Sequence, residues 1–234
     1  MQLREAKWRK HFCIPSKLPK MHERFLSSEV WELQSKCCAQ DLDRMPPMCR
    51  GNVIQIISRF AATSPYAGYT QGNLYLIFVL GLVFNDEKSI YWAFARTVKR
   101  VHHWGPATSP GTPVLPQWVV QYFPHLPHNL AHDMIRFRWL YIMFGQTFTS
   151  TTSLLTVWDY CMLSDKHAHS FCAALILHAQ DVIPFQRDRC ELERSNLIIS
   201  IKIESETVTA HLVSKAQTLL NELECSRHPR RGKR

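Results

Sequence analysis

The side chain with the clearest chemical potential is Gln71, an amide within the stretch 65–72. Pro65 fixes one φ angle there, and Gly68 and Gly72 allow backbone angles and close contacts that a Cβ atom would block. The twelve residues that follow are almost entirely apolar, which predicts a core helix because a membrane span needs about 20 residues. We therefore predict that Gln71 lies on a rigid turn at the edge of the core. The alternative is that it caps this helix or bonds to a loop carbonyl.

A second polar group, the guanidinium of Arg44, lies just before Pro46 and Pro47. Consecutive prolines disfavour helical backbone, so we predict that residues 44–47 form a stiff, exposed loop. Asp41 lies three residues upstream, near enough to hold the guanidinium in one orientation. The pattern predicts an arginine and a glutamine that are each presented on a restrained segment. The alternative for Asp41 and Arg44 is a surface ion pair that contributes under ~1 kcal/mol.

Other kinds of site chemistry have little support in the sequence. His125, His128 and His132 are spaced i, i+3 and i+7, but no cysteine or carboxylate accompanies them at ligand spacing. We therefore expect no metal site. The sequence has no glycine-rich phosphate loop, no G-x-S-x-G and no H-E-x-x-H. We therefore expect that the chain does not bind a nucleotide by itself.

The composition is that of a globular protein, with 46% hydrophobic and 20% charged residues over 234 positions. Eight cysteines are scattered without a C-x-x-C pair, and the charged segment 1–10 lacks the apolar run of a signal peptide. We expect reduced, mostly buried thiols in a cytosolic or nuclear compartment, and favour the cytoplasm.

The net charge of +9 is concentrated at the two ends of the chain. Residues 1–24 carry +5, the tail 227–234 carries five basic residues without an acid, and the body 25–226 is near neutral at −1. A near-neutral body does not favour a nucleic-acid-binding fold, so we expect no nucleic-acid partner. We predict that the tail is a disordered, solvated end. The alternatives are a nuclear-localisation signal or a peripheral contact with an anionic membrane.

The hydrophobic pattern is helical along most of the chain. Ser27 or Ser28 is the predicted N-cap of the second helix, and residues 105–116 form a proline-rich loop between two halves. Isoleucines within 197–203 would also suit a strand. The predicted helices cover approximately 3–10, 29–38, 53–60, 73–84, 87–98, 119–123, 135–144, 154–160, 168–182 and 196–224. The apolar face of the helix at 53–60 is predicted to contain Val53, Ile54, Ile56, Ile57 and Phe60. Residues 85–87 are predicted to form a short turn and an acidic N-terminal cap for the helix at 87–98.

Four stretches, in this order, resemble the motifs of the TBC (RabGAP) domain family. Each match is weak alone, but the ordered set is specific and covers roughly residues 1–185. Leu3, Arg4 and Trp8 match the motif L-R-x-x-x-W, and Asp41 and Arg44 match I-x-x-D-x-x-R. Tyr69, Gln71 and Gly72 match Y-x-Q-G, and Trp158 and Asp159 match the end of R-L-W-D.

The resemblance implies an all-α, multi-helix, roughly V-shaped domain over residues 1–226. The half 1–104 would bear the two functional side chains, and 117–226 would form the C-terminal half. The expected partner is a Rab-family small GTPase in its GTP form, on which the domain acts as a GTPase-activating protein.

The resemblance also implies a role for each residue. Arg44 would enter the partner's nucleotide site and neutralise charge on the γ-phosphoryl group, Gln71 would position the attacking water, and Asp41 would orient Arg44. GTP and Mg²⁺ would belong to the partner, so the chain itself would need no cofactor. It would supply catalytic residues in trans and would not hydrolyse GTP alone.

The chain also departs from the family pattern. Asn73 replaces the usual Met, Cys38 the usual Ile, and Thr156-Val157 the usual Arg-Leu. The segment between the two functional side chains is shorter than usual, and Arg50 is an alternative cation within it. These departures keep open an inactive TBC-like module that acts as a GTPase-binding scaffold or effector decoy. A helical interaction protein without any link to GTPases is the third hypothesis.

Overall fold

The computed structural model describes residues 2–20, 29–43, 53–63, 69–70, 72–102, 119, 135–183 and 191–227. This part of the chain is helical, which confirms the predicted all-α class, and its strand-like pairing is limited to one isolated bridge between Phe148 and Ile203. The α-helices are α1 Gln2–His11, α2 Glu29–Leu42, α3 Val53–Thr63, α4 Asn73–Gly81, α5 Glu87–His102, α6 Thr151–Cys161, α7 Asp165–Val182, α8 Glu191–Ile199 and α9 Glu206–Arg227.

The chain divides into two compact units, 1–102 and 103–234. Helix α4 is the centre of the first unit, because it is apolar on every side and most of its residues are buried. Its prediction as a core helix is correct, although it ends at Gly81 and the chain reaches the buried Phe84 through a turn. Helix α1 attaches to this core through Trp8, whose ring meets that of Phe84 edge to face with centroids 6.3 Å apart.

Two details of the first unit differ from the sequence prediction. Helix α2 continues through Leu42, beyond the predicted end near Cys38, so Asp41 lies on a helix and not on a loop. The helix can continue because the helix-breaking prolines begin only at Pro46. In α3, Ile54 was expected on the apolar face but is 46% exposed.

The start of α5 was predicted as an acidic cap, and Asp86 fills that role. Its Oδ1 accepts hydrogen bonds from the backbone N of Ser89 at 2.9 Å and from the Ser89 hydroxyl at 2.8 Å. Its Oδ2 accepts one from Arg9 at 2.6 Å, and the same guanidinium bonds to Glu5 at 2.8 Å. Asp86 therefore caps α5 and fastens α1 to it at the same time.

The second unit is built on contacts among α6, α7 and α9. Serines begin two of these helices: Ser150 caps α6 by accepting from Ser153 N, and Ser164 caps α7 by accepting from His167 N. The core includes Trp158 and Phe171, both fully buried. The sequence predicted α6 and α7 but placed each start three residues too late, because the capping turns are polar.

The expected helix 135–144 is instead a short π-helix, Arg136–Leu140, followed by turns. The N–H of Phe144 bonds to the carbonyl of Trp139 at 2.7 Å, five residues back, as a widened turn requires. Met143 and Phe144 then have φ angles of 47° and 62°, which bulky residues rarely adopt. Packing explains the distortion, since Trp139 and Phe144 are both fully buried. The sequence did not predict it, because the order of aromatic residues does not show how their rings pack.

The suggestion of a strand over 197–203 is wrong apart from Ile203. Helix α8 runs to Ile199, and Ile203 donates to the Thr147 carbonyl at 2.8 Å within the isolated bridge. Among the described helices, none has the length and apolarity that crossing a membrane requires.

Six cysteines fall in the described part, and all six are free thiols. Half of them are exposed, so the expectation of mostly buried thiols is wrong there. The buried ones are Cys38, Cys161 and Cys172, and the exposed ones are Cys13, Cys37 and Cys225.

Several predicted features lie outside the described residues. They are the Ser27 or Ser28 cap, the loop 105–116, helix 119–123 apart from Val119, the histidines His125, His128 and His132, and tail residues 228–234.

Candidate functional site

The structure joins two of the motif stretches through one hydrogen bond. Asp41 lies in the last turn of α2, and Tyr69 lies in the segment that leads into α4. The Tyr69 hydroxyl donates to Asp41 Oδ2 at 2.7 Å, and both side chains are half-buried. A short hydrogen bond to a carboxylate is among the stronger kinds in proteins. It fixes the end of α2 against the entry to α4.

The environment keeps the neighbours of Asp41 neutral. Burial raises the pKa of Tyr69 well above its usual range, and the hydrogen bond to Asp41 and the negative charge of that carboxylate raise it further. Burial also raises the pKa of the Cys38 thiol to about 11, with the charge of Asp41 as a second cause. Tyr69 therefore remains a hydrogen-bond donor at neutral pH. The negative charge of this small cluster rests on the Asp41 carboxylate.

A tight turn precedes α4, as predicted. The backbone N–H of Asn73 donates to the Thr70 carbonyl at 2.8 Å, and Gly72 occupies the N-cap position of the helix. The φ of Gly72 is −63°, an ordinary helical value, so its backbone angles do not require glycine. Gly72 is buried, and the close contacts that a Cβ atom there would block stay a prediction. The expectation that Gly72 is needed for its backbone angles is wrong.

Asn73, the first residue of α4, is the most unusual polar residue near this turn. Its side chain is 1% exposed, and neither its amide nitrogen nor its amide oxygen has a hydrogen-bond partner in the described part of the chain. An orphaned buried polar group costs about 1–3 kcal/mol. The sequence contained a signal for it, since Asn73 opens an otherwise apolar segment at a position where the resembling family has Met.

The predicted catalytic side chains, Arg44 and Gln71, lie outside the described residues, and so does Arg50. Their immediate neighbours are described. Asp41 lies three residues before Arg44 and Tyr69 lies two residues before Gln71, and these two neighbours are in direct contact. The role of Asp41 in orienting Arg44 remains a prediction. Sequence reasoning named Tyr69 only as a motif residue and missed its bond to Asp41.

The opening motif has a structural position on α1. Trp8 is 2% exposed and contacts the rings of Phe12 and Phe84 edge to face. Arg4 lies half-buried one turn earlier. The tryptophan thus holds α1 on the core of the first unit.

The last motif lies on α6 in the second unit. Trp158 is fully buried, and its indole N–H donates to the Met143 carbonyl at 2.9 Å. Met143 has a positive φ, so the indole supports the distorted turn after the π-helix. Asp159, the next residue, is half-buried. The geometry of Trp158 indicates a structural role within its own unit.

In the described part of the chain, no group of three or more His, Cys, Asp or Glu side chains is placed to bind a metal ion. The three histidines considered above are not among these residues.

The family described as the Rab-GTPase-TBC domain (RabGAP-TBC) matches residues 46–183, which is more than half of the chain. The chain therefore belongs to the Rab-GTPase-TBC domain family. No curated protein matches it. The matched range contains Tyr69, Gln71, Gly72, Trp158 and Asp159, and it begins just after the stretch that contains Asp41 and Arg44.

Proposed function

We propose that the chain is a GTPase-activating protein for a Rab-type GTPase in its GTP form. It supplies Arg44 and Gln71 to the partner's nucleotide site, where GTP and Mg²⁺ belong to the partner. The observation that carries the proposal is the 2.7 Å hydrogen bond between Tyr69 and Asp41. A bond between the neighbours of the two functional side chains supports their convergence on one partner.

Covalent geometry limits how far Arg44 and Gln71 can lie from the bonded pair Asp41 and Tyr69. A fully extended chain advances at most about 3.6 Å per residue, so Arg44 and Gln71 cannot start far from the two bonded residues. Helix α2 supplies the first anchor and the turn before α4 supplies the second. A side chain that is positioned before the encounter loses less conformational freedom when it binds, which favours catalysis by positioning.

The chemistry assigned to each group follows from its charge. The Arg44 guanidinium neutralises charge that develops on the γ-phosphoryl group, and the Gln71 amide orients the attacking water. Asp41 holds the guanidinium until the partner arrives. The raised pKa of Tyr69 keeps its hydroxyl protonated, so the phenol adds no competing negative charge beside the carboxylate.

A second candidate is an inactive TBC-like module that binds a Rab-type GTPase as a scaffold or effector decoy. The observation that favours it is the start of the family match at residue 46, which leaves Asp41 and Arg44 outside the matched range. The short segment between Arg44 and Gln71 favours it as well.

Single-turnover GTP hydrolysis over a panel of Rab-type GTPases separates the two candidates. We expect acceleration by the wild type and its loss in both Arg44→Ala and Gln71→Ala, with a loss of about 10³-fold or more for the arginine. Arg50→Ala is the matched control, since it removes the same charge within the same segment. If only Arg50→Ala abolishes the acceleration, the arginine is misassigned.

Binding separates the remaining outcomes of this assay. A wild type that binds a GTP-loaded Rab without accelerating hydrolysis is the inactive module. A wild type that binds no GTPase of the panel contradicts both candidates. We further propose a cytoplasmic location, with the basic tail 227–234 contacting anionic membranes.

A further inference from the structure

The second unit contains a small cavity that the proposed GTPase site does not use. Its volume is about 230 Å³, which is large enough for one small ligand and a few waters. It lies beside the π-helix rather than among the motif residues. The described residues that line it are Arg138, Gln146, Thr147, Ile199, Ser200, Ile201 and Lys202.

Hydrogen bonds join the two walls of the cavity and fix their positions. One wall comes from the π-helix and the turns after it, and the other from the end of α8 and the segment after it. The Trp139 indole donates to the Ile199 carbonyl at 3.1 Å, and Ile203 N donates to the Thr147 carbonyl at 2.8 Å. Both bonds join residues far apart in sequence. The cavity is thus preformed in the folded unit.

The charge of the described lining has one sign. Arg138 and Lys202 contribute two positive charges, and no Asp or Glu of the described part of the chain lines the cavity. The Lys202 ammonium donates to the Gln146 carbonyl, which uses one of its three N–H groups. Arg138 is exposed and has no acidic partner among the described residues. Thr147 and Ser200, whose side chains carry hydroxyl groups, also line the cavity.

The C-terminal end of α8 also borders the cavity, and helix carbonyls there would repel an anion. These carbonyls already have donors. Ser200 N bonds to the Leu197 carbonyl at 3.2 Å, Ile201 N bonds to that of Ile198 at 3.3 Å, and Ile199 accepts from the Trp139 indole. The positive side chains therefore decide the sign of the site.

Backbone strain beside the cavity adds an independent observation. The π-helix that carries Arg138 and the positive φ angles of Met143 and Phe144 all lie in the same wall. Short π-helices and strained backbone occur preferentially at binding sites, where the surrounding structure maintains them. Here the π-helix brings Arg138 to the cavity that Lys202 also lines.

We propose that this cavity binds a phosphate group. A guanidinium with its planar set of donors and an ammonium are the side chains that recognise phosphate in proteins, and hydroxyl donors complement them. The group belongs either to a free small phosphate compound or to a lipid headgroup that ends in a phosphate monoester. The proposal is independent of Rab binding.

Titration of the full chain with inorganic phosphate at constant ionic strength tests the site. We expect a dissociation constant of about 1 mM for the wild type, weakened about 10-fold or more in Arg138→Gln and in Lys202→Gln. Arg96→Gln and Lys99→Gln are the matched controls, because they remove the same charges from exposed positions in the other unit. Both controls are expected to bind as the wild type does.

Absence of phosphate binding by the wild type, or equal weakening in all four variants, overturns the proposal. Thermal unfolding shows whether each variant is folded, and Lys202→Gln keeps the test valid if Arg138→Gln is not. Vesicles of phosphatidylcholine that contain either phosphatidic acid or phosphatidylserine, matched in charge, identify the source, because the basic tail 227–234 would bind both. Stronger binding to phosphatidic acid than to phosphatidylserine, lost in Lys202→Gln, supports the lipid, and phosphate binding without that preference supports the free compound.

Discussion

The hydroxyl of Tyr69 donates a 2.7 Å hydrogen bond to the carboxylate of Asp41, across 28 positions of sequence. The two residues belong to different motifs of the family, one at the end of α2 and the other before α4. The bond makes the geometry of one stretch depend on that of the other. If the two functional side chains act together, this pair is a positioning device behind them.

Substitution of Tyr69→Phe tests that dependence. It removes the bond and leaves a carboxylate without one donor, so we expect the free energy of unfolding to fall by about 1–2 kcal/mol. We also expect GTPase activation to fall about 10-fold or more, because small displacements of catalytic groups are costly. Chemical denaturation and single-turnover hydrolysis measure the two effects.

Tyr91→Phe is the control for this substitution. The Tyr91 hydroxyl bonds to that of Thr63 at 2.7 Å in the same unit, and neither residue belongs to a matched motif. Its loss should lower stability by a similar amount and leave GTPase activation unchanged. Equal effects of both substitutions on activation would show that Tyr69 acts only through general stability.

Asn73→Leu is expected to stabilise the chain. The substitution replaces a buried amide that has no partner in the described part of the chain with an apolar side chain of similar size. Removing the orphaned group should raise the free energy of unfolding by about 1–3 kcal/mol. The control is Thr97→Val, since the buried Thr97 hydroxyl already bonds to the Ala93 carbonyl. A destabilised Asn73→Leu would mean that the amide has a partner in solution, such as a bound water.

Asp86 should contribute to the pH dependence of stability. Burial raises its pKa, but hydrogen bonds from Ser89 and Arg9 outweigh burial and hold the pKa below its ordinary value of 3.8. A carboxyl with a depressed pKa in the folded state contributes stability above its unfolded pKa, and that contribution is lost as the pH falls through the folded pKa. We therefore expect the stability difference between wild type and Asp86→Asn to shrink below about pH 4.

Urea unfolding at pH 7, 5, 4 and 3 measures this difference. Ser89→Ala removes a donor to the carboxylate and should move the loss toward higher pH. A difference between wild type and Asp86→Asn that stays constant over this range would contradict the role of Asp86.

Trp158→Phe tests the support of the strained turn. The substitution leaves the Met143 carbonyl without its 2.9 Å donor and removes buried ring volume. We expect a loss of about 2–4 kcal/mol in the free energy of unfolding. Trp92→Phe is the comparison, because the Trp92 indole bonds to the Lys17 carbonyl at an exposed site and should contribute less. Similar losses in the two variants would contradict a special role for Trp158.

Local features of the sequence predicted most of the helices in the described part of the chain. The continuous apolar run after Gly72 predicted a core helix without any knowledge of the segments that pack against it. The start of α5 was predictable because an acidic residue such as Asp86 can cap a helix. Residues 135–144 were predicted wrongly, because the packing of Trp139 and Phe144 decides the backbone there and helical propensity does not. Helix ends were less reliable, because polar capping turns concealed the starts of α6 and α7 and α2 continues beyond its predicted end toward Pro46.

The candidate phosphate cavity had no sequence signal. Arg138 and Lys202 are 64 positions apart and belong to no motif, and only the folded second unit brings them to the same cavity. The bond between Tyr69 and Asp41 was likewise invisible, since a tyrosine and an aspartate at this separation have no pattern in common.

The sequence by itself determined the all-α class, the family and the residue types offered for chemistry, because these depend on periodicity and on ordered motifs. The tertiary structure alone decided which of these residues meet. It bonded Tyr69 to Asp41, left the amide of Asn73 buried without a partner in the described part of the chain, and lined a cavity with two cations. Such contacts arise from the packing of segments that are distant in sequence, so local propensity cannot predict them.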